Sequence, residues 1–151
     1  MSALVKLWGL LEQVSSFEFS SLPGKGSKTG WQGNGAGALI HETVDNNSCF
    51  ILEKGTFSIE GGKALEMSNE WLWENKEGVI RLSHVRRGRS YPVMLFELRA
   101  SDESGSQVVS TPHRCGRDIY KATVVLEANG FDMSWSITGP KKEENLFYRY
   151  R

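Results

Sequence analysis

A single, closed, antiparallel up-and-down β-barrel of about nine or ten strands is the fold the sequence predicts. Three observations lead there. Apolar and polar residues alternate along segment after segment, the period of a strand with one buried face. Turn signals rich in Gly, Asn and Asp recur at intervals of roughly eight to twelve residues, the spacing of an all-β barrel or sandwich. The connections read as short hairpins without a crossover helix, which favours a meander. Closing a long meander on itself removes its two unpaired edges.

The elements follow in order. Leu4, Leu7 and Leu11 recur at helical spacing behind Ser2, a residue type suited to capping. About two turns of helix are expected there, with Gly9 as an interruption. Residues 13–20 alternate as a first strand. Residues 21–37 are rich in Gly, Ser and Lys and predict a long loop or a glycine-bent strand. Residues 37–44 form the next strand, and Asp45-Asn46-Asn47-Ser48 a turn that bonds its own backbone. Residues 49–59 continue to a hairpin at Glu60-Gly61-Gly62. In residues 63–75, Leu65, Met67, Trp71 and Trp73 share one face, and Glu66, Ser68, Glu70 and Glu74 the other. Turns at Lys76-Glu77-Gly78 and Arg87-Gly88-Arg89 bound strands 79–86 and 91–100. Strands 107–110, 119–127, 131–138 and 144–151 complete the chain, with a strong hairpin signal at Ala128-Asn129-Gly130. In 131–138, Phe131, Met133, Trp135 and Ile137 fall on one face.

Composition narrows the class. A chain of 151 residues, 39% hydrophobic and 11% aromatic, forms one domain spanning 1–151 with a core of its own. Five Trp and 16 Gly suit short aromatic strands joined by tight turns. A formal net charge of zero supplies no general field for nucleic acid or anionic lipid, so neither is an expected partner. No apolar run reaches the roughly 20 residues of a membrane helix. The N-terminus lacks the pattern of a signal peptide. Cys49 and Cys115 are too few for a disulfide framework. A cytoplasmic protein with free thiols is the expectation.

The pattern His113-x-Cys115-x-x-Asp118-x-Tyr120, then Trp135-x-Ile137-x-Gly139-Pro140-x-Lys142, then Tyr148-Arg149, resembles an uncharacterised domain family of about this length. Leu7-x-Gly9, Gly30-Trp31-x-Gly33, Glu53-x-Gly55 and Leu72-Trp73 extend the likeness over most of the chain. Two features depart from it: an early Trp near Leu11 is missing, and Glu143-Glu144 stands where an acidic-aromatic pair is expected. The resemblance implies a barrel like those of lipocalins and other calycins. It carries no activity.

The cluster His113, Cys115, Asp118 and Tyr120 is the leading candidate site. Imidazole, thiol, carboxylate and phenol at this spacing suit a polar ligand or acid–base work. The structural alternative has Asp118 holding a turn while His113 and Tyr120 satisfy one another. A zinc site would need a second Cys/His pair, which is absent, so no metal is expected. Arg149 and Arg151 share a face of the last strand with Phe147. If that face turns inward, a guanidinium could hold a ligand carboxylate bidentately. Asp118 would balance it in the empty site. If it turns outward, both Arg are solvated. Trp135, Trp71 and Trp73 would supply apolar lining or core. His41 and His84 lie in predicted strands and are haem-ligand candidates outside any haem motif. No other cofactor is expected. The run from Gly24 to Gly30 lacks the order of a phosphate loop. Arg86-Arg87-Gly88-Arg89 reads as a solvated hairpin tip.

These residues lead to a barrel that binds a small apolar or amphipathic molecule, with an anionic one favoured if Arg149 or Arg151 points inward. Its site would be His113, Cys115, Asp118, Tyr120, Trp135, Arg149 and Arg151. The rivals are an isomerase or hydrolase built on His113, Asp118 and Tyr120, and a non-catalytic interaction module. No nucleophile elbow supports the enzyme.

Overall fold

Ser2 begins the fold by accepting a hydrogen bond from the Val5 backbone N–H at 3.3 Å, which caps helix α1 (Ala3–Leu11). The structure is a computed structural model and describes residues 2–27, 32–101 and 105–151. Gly9 does not break the helix. Ala3, Leu7 and Leu11 fall on one face, all buried, and that face lies against one end of the barrel.

Eleven strands follow among the described residues. They are β1 (Ser16–Pro23), β2 (Gly33–Asp45), β3 (Ser48–Ile59), β4 (Ala64–Lys76), β5 (Val79–His84), β6 (Val93–Ala100), β7 (Gln107–Ser110), β8 (His113–Cys115), β9 (Asp118–Glu127), β10 (Gly130–Thr138) and β11 (Glu143–Tyr150). Neighbours pair antiparallel from β1 to β7, then β7 with β9, β9 with β10, β10 with β11, and β11 back to β1. Ten strands therefore close a ring. β8 stands outside it and pairs only with the first residues of β9. The closure between first and last strands sets Phe17 opposite Tyr150 and Phe19 opposite Tyr148. It continues where Ser15 and Ser16 donate their N–H groups to the Arg151 carbonyl.

Three expectations shift. β1 starts later than residue 13, because Gln13 and Val14 still donate to the Leu10 carbonyl as the chain leaves the helix. Much of 21–37 is strand, at the end of β1 and the start of β2; the Gly30-Trp31 pair lies outside the described residues. β8 was not expected as a strand at all. At Gly37, which faces Gly55 across β2 and β3, an added Cβ would meet the Lys54 carbonyl oxygen. These glycines let the two strands press together where the sheet curves, as glycine inside a strand commonly does.

Trp71 and Trp73 point inward, 4% and 2% exposed, while Glu66 is exposed and Glu70 reaches Arg89 outside. The period of two on β4 thus holds as the sequence predicts, since the opposite register would bury carboxylates. The Asp45 turn holds too: the Asp45 carboxylate accepts from Asn47 N–H at 2.8 Å and from the Ser48 hydroxyl at 2.9 Å. Cys49 is buried, Cys115 is exposed, and both thiols are free.

Candidate functional site

The two ends of the barrel differ. Beneath α1 the interior is filled, with Leu7, Leu11, Phe17, Ile80 and Phe131 fully buried and Trp73 meeting Phe131 edge-on at 6.3 Å. At the far end the inward-facing Phe19, Met67, Tyr120 and Leu146 are only partly shielded, and Leu65 is 47% exposed. That end is an open well with apolar and aromatic walls.

Between the two ends the packed interior holds a polar group that the open end does not reach. Glu53 sits on β3 in register with Leu39 and Asn69 and is wholly buried. Its Oε2 accepts a hydrogen bond from the Tyr150 hydroxyl at 2.7 Å. The Trp71 indole N–H stands beside the carboxyl and favours its charged form, yet the two do not reach hydrogen-bond geometry. Glu53 Oε1, Trp71 Nε1 and Trp135 Nε1 are all buried without a partner. Burial pushes the Glu53 carboxyl up to about 7, against the pull of Trp71 and Tyr150. Burial, and then the Glu53 charge, raise the Tyr148 and Tyr150 phenols well above their ordinary value.

Aromatic rings enclose this buried group. Trp135 meets Trp71 edge-on at 6.3 Å and Phe96 at 5.8 Å, and stacks with Tyr120 at 6.2 Å and Tyr148 at 6.3 Å. His84 lies opposite Trp71, on the inward side. Burial, followed by the charges of Arg86 and Arg87, lowers its pKa. The Arg86 guanidinium is near enough to Tyr120 and Tyr148 to favour their ionised forms, which places a cation beside the mouth.

The residues singled out in the sequence separate into three groups. Tyr120 and Trp135 belong to the well. His113, Cys115 and Asp118 lie on the β8–β9 hairpin at its rim, where His113 faces Tyr120 and Cys115 faces Asp118. Asp118 pairs with Lys142 at 3.7 Å. Arg149 and Arg151 lie on the outer wall, so the inward reading of that face is corrected. Tyr148 and Tyr150 occupy the inner face of β11, and a period of two sends the guanidinium groups to water, which spares their desolvation. Arg149 reaches Glu18 at 3.7 Å and Asp132 at 3.8 Å; Arg151 reaches Asp132 at 3.0 Å and donates to the Tyr150 carbonyl at 2.8 Å. Asp118 therefore balances a lysine, not an inward arginine.

The other candidates resolve locally. His41 Nε2 lies 2.7 Å from the Val14 carbonyl, an acceptor, so this nitrogen carries a hydrogen and is not free to bind haem iron. Among the described residues no three His, Cys, Asp or Glu side chains gather to hold a metal. At the basic tip, Arg89 pairs with Glu70 and Glu42 and covers the Phe50 ring at 4.3 Å. A groove of about 550 Å³ on the outer wall runs between Phe147 and Arg149. It is a saddle of the sheet surface whose arginine is already paired with Glu18 and Asp132.

Glu53, Tyr150 and the indole N–H of Trp71 were missed as site residues. One signal was present: Cys49, Ile51, Glu53, Gly55 and Phe57 share the inward face of β3, and a carboxylate stands alone among them.

No curated protein and no solved structure matches the chain. A family model matches residues 22–151, which takes in β2 to β11 and only the last two residues of β1. By that match the chain belongs to the family of unknown function DUF6314.

Proposed function

We propose that this protein binds a small, largely apolar or amphipathic molecule in the open half of the barrel. One observation carries the reading: at the end away from α1 the inward-facing Phe19, Met67, Tyr120 and Leu146 are only partly shielded, an apolar and aromatic lining without a helix over it. A concave site lined mainly by apolar and aromatic side chains is the usual form of a small-molecule site. The anionic ligand expected from the sequence loses the cations that were to hold it, because Arg149 and Arg151 lie outside the wall.

Trp71 and Trp135 make the site self-reporting. Titration with an apolar fluorescent probe should quench tryptophan emission, and native mass spectrometry of protein purified without denaturant should show a retained small molecule. A crystal structure with the well packed solid by side chains, together with no probe binding, would overturn the proposal. A rival acid–base enzyme gains one point, a Glu53 carboxyl near 7, in the range that general catalysis uses. Recovery of the bound molecule unchanged after long incubation separates binding from turnover.

A further inference from the structure

We infer that the open end of the barrel docks on an anionic lipid surface, with the basic turns of its rim against the headgroups. The zero net charge of the chain is a sum over two ends of opposite sign, so a local field survives where a general one does not. Docking of this kind goes beyond the binding reading above and needs no ligand in the barrel.

Three neighbouring turns build the basic face. The turn after β5 closes where the Gly88 N–H donates to the Val85 carbonyl at 2.9 Å, with Gly88 at φ +107°, and it presents Arg86 and Arg87. The hairpin between β8 and β9 turns on Gly116, φ +63°, and presents Arg114 and Arg117. The turn between β10 and β11 closes where the Gly139 N–H donates to the Lys142 carbonyl at 2.8 Å, and it presents Lys141. All five residues are exposed, and none has an acidic partner among the described residues. The turns form one arc of the rim. Lys142 joins the last two by reaching Asp118 at 3.7 Å, and the Arg86 charge is felt at Tyr120, which pairs with His113 at the hairpin.

Three carboxylates lie on the same segments and do not cancel five free cations. Asp118 is paired with Lys142, Glu143 is turned to the Gly26 N–H at 3.0 Å, and Glu144 is half-buried. Around α1, at the opposite end, the exposed charges on the described helix and turns are Glu12, Asp45, Glu77 and Glu127 against Lys6 and Lys76, an excess of the other sign. Exposed apolar side chains bracket the basic arc. Tyr91 is 70% exposed and donates its N–H to the Gly88 carbonyl of the first turn. Leu22 is 50% exposed beside the last turn, in register with Asn145. Cations with exposed Tyr and Leu at one end of a molecule suit the headgroup layer, where basic residues meet anionic lipid and amphipathic rings sit at the interface. A nucleic-acid strand calls instead for a basic groove with aromatic platforms along it, whereas these cations stand on separate turns.

Flotation with lipid vesicles tests this on the full chain. At about 50 mM salt, vesicles of phosphatidylcholine and phosphatidylserine in a ratio of about 2:1 should carry the protein, and vesicles of phosphatidylcholine alone should not. Raising the salt to about 500 mM should release it, because the attraction is screened. Each cation near such a surface contributes about fivefold to affinity, so Arg86→Ala with Arg87→Ala, or Arg114→Ala with Arg117→Ala, should weaken binding by about 25-fold. These side chains have no acidic partner among the described residues, so the thermal transition of both double variants should be unchanged. Lys6→Ala, at the helix end, should bind as the original protein does. Binding to neither vesicle type, equal binding to both, or double variants that bind like the original protein would overturn the docking. Tighter binding to a random-sequence oligonucleotide than to the anionic vesicles would overturn it as well, and would make this face a nucleic-acid site.

Discussion

Tyr150 on the last strand donates its phenol hydrogen to Glu53 on the third, 2.7 Å apart in the barrel interior and 97 residues apart in sequence. This bond supports a carboxyl group that has no contact with water. It also makes the stability of the protein depend on the protonation of one side chain.

The folded carboxyl keeps its proton up to about pH 7, whereas the unfolded chain releases it near 4.5. Between those values the folded state binds more protons, so the Glu53 contribution to stability falls as pH rises from about 4.5 to about 7 and is level outside that window. The full drop is roughly 3 kcal/mol, at about 1.4 kcal/mol per pH unit. Urea unfolding across this range should show it, and Glu53→Gln should remove it. A variant whose pH profile is parallel to that of the original protein would exclude Glu53 as the source.

Tyr150→Phe removes the donor and leaves Glu53 Oε2 unsupported. The expected loss is about 1–3 kcal/mol above pH 7, where the carboxyl is charged. It should be smaller near pH 5, where the carboxyl is neutral, and smaller again in the Glu53→Gln background. An equal loss at both pH values and in both backgrounds would mean that the phenol contributes through packing alone.

Trp73→Ala should cost about 3–5 kcal/mol, because a fully enclosed indole leaves a cavity that the sheet cannot close. Arg149→Ala, on the outer wall, should stay within about 0.5 kcal/mol. Thermal or urea unfolding of the two variants gives the comparison. A loss below about 1 kcal/mol for Trp73 would contradict the inward face of β4.

Removing residues 145–151 takes away most of β11, which pairs with β1 on one side and β10 on the other. The barrel would then have two long open edges and no lid over Phe17 and Phe131. The truncated chain should lose its cooperative thermal transition. Retention of that transition at the original temperature would show that the ring does not depend on this strand.

Two glycines should respond in opposite ways to alanine. Gly9 lies in α1 with nothing within 4 Å of an added Cβ, so Gly9→Ala should stabilise by about 0.5–1 kcal/mol through helix propensity. At Gly37 the Cβ would run into the Lys54 carbonyl oxygen, and Gly37→Ala should destabilise. A pair of unfolding curves shifted in the same direction would be inconsistent with these environments.

Much of the fold was legible because strand periodicity is a local property. The alternation in β4 and β10, the Asp45 turn and the capped helix all depend on residues near one another in the chain. β8 was hidden because it has three residues and follows Pro112, too little for any period to show. The site was legible in part. Trp135 and Tyr120 are aromatic residues on alternating strands, and the sequence identifies them. Arg149 and Arg151 were misplaced because periodicity gives two faces without saying which is inner; the packing of Tyr148 and Tyr150 decides that. Glu53 and Tyr150 meet only through the closure of β11 on β1, which no short window of sequence contains.

The position of β8 outside the ring has a kinetic consequence. Strand β9 pairs with β10 along its length, but on its other edge Thr123–Val125 meet β7 inside the ring while Asp118–Tyr120 meet only β8. β8 is short and joins the wall through Thr111 and Pro112, so it can separate without disturbing the ten strands that close the barrel. Amide deuterium exchange should therefore divide β9 in two. The amides paired with β8 should exchange by local opening, while those from Thr123 onward wait for the whole barrel to unfold.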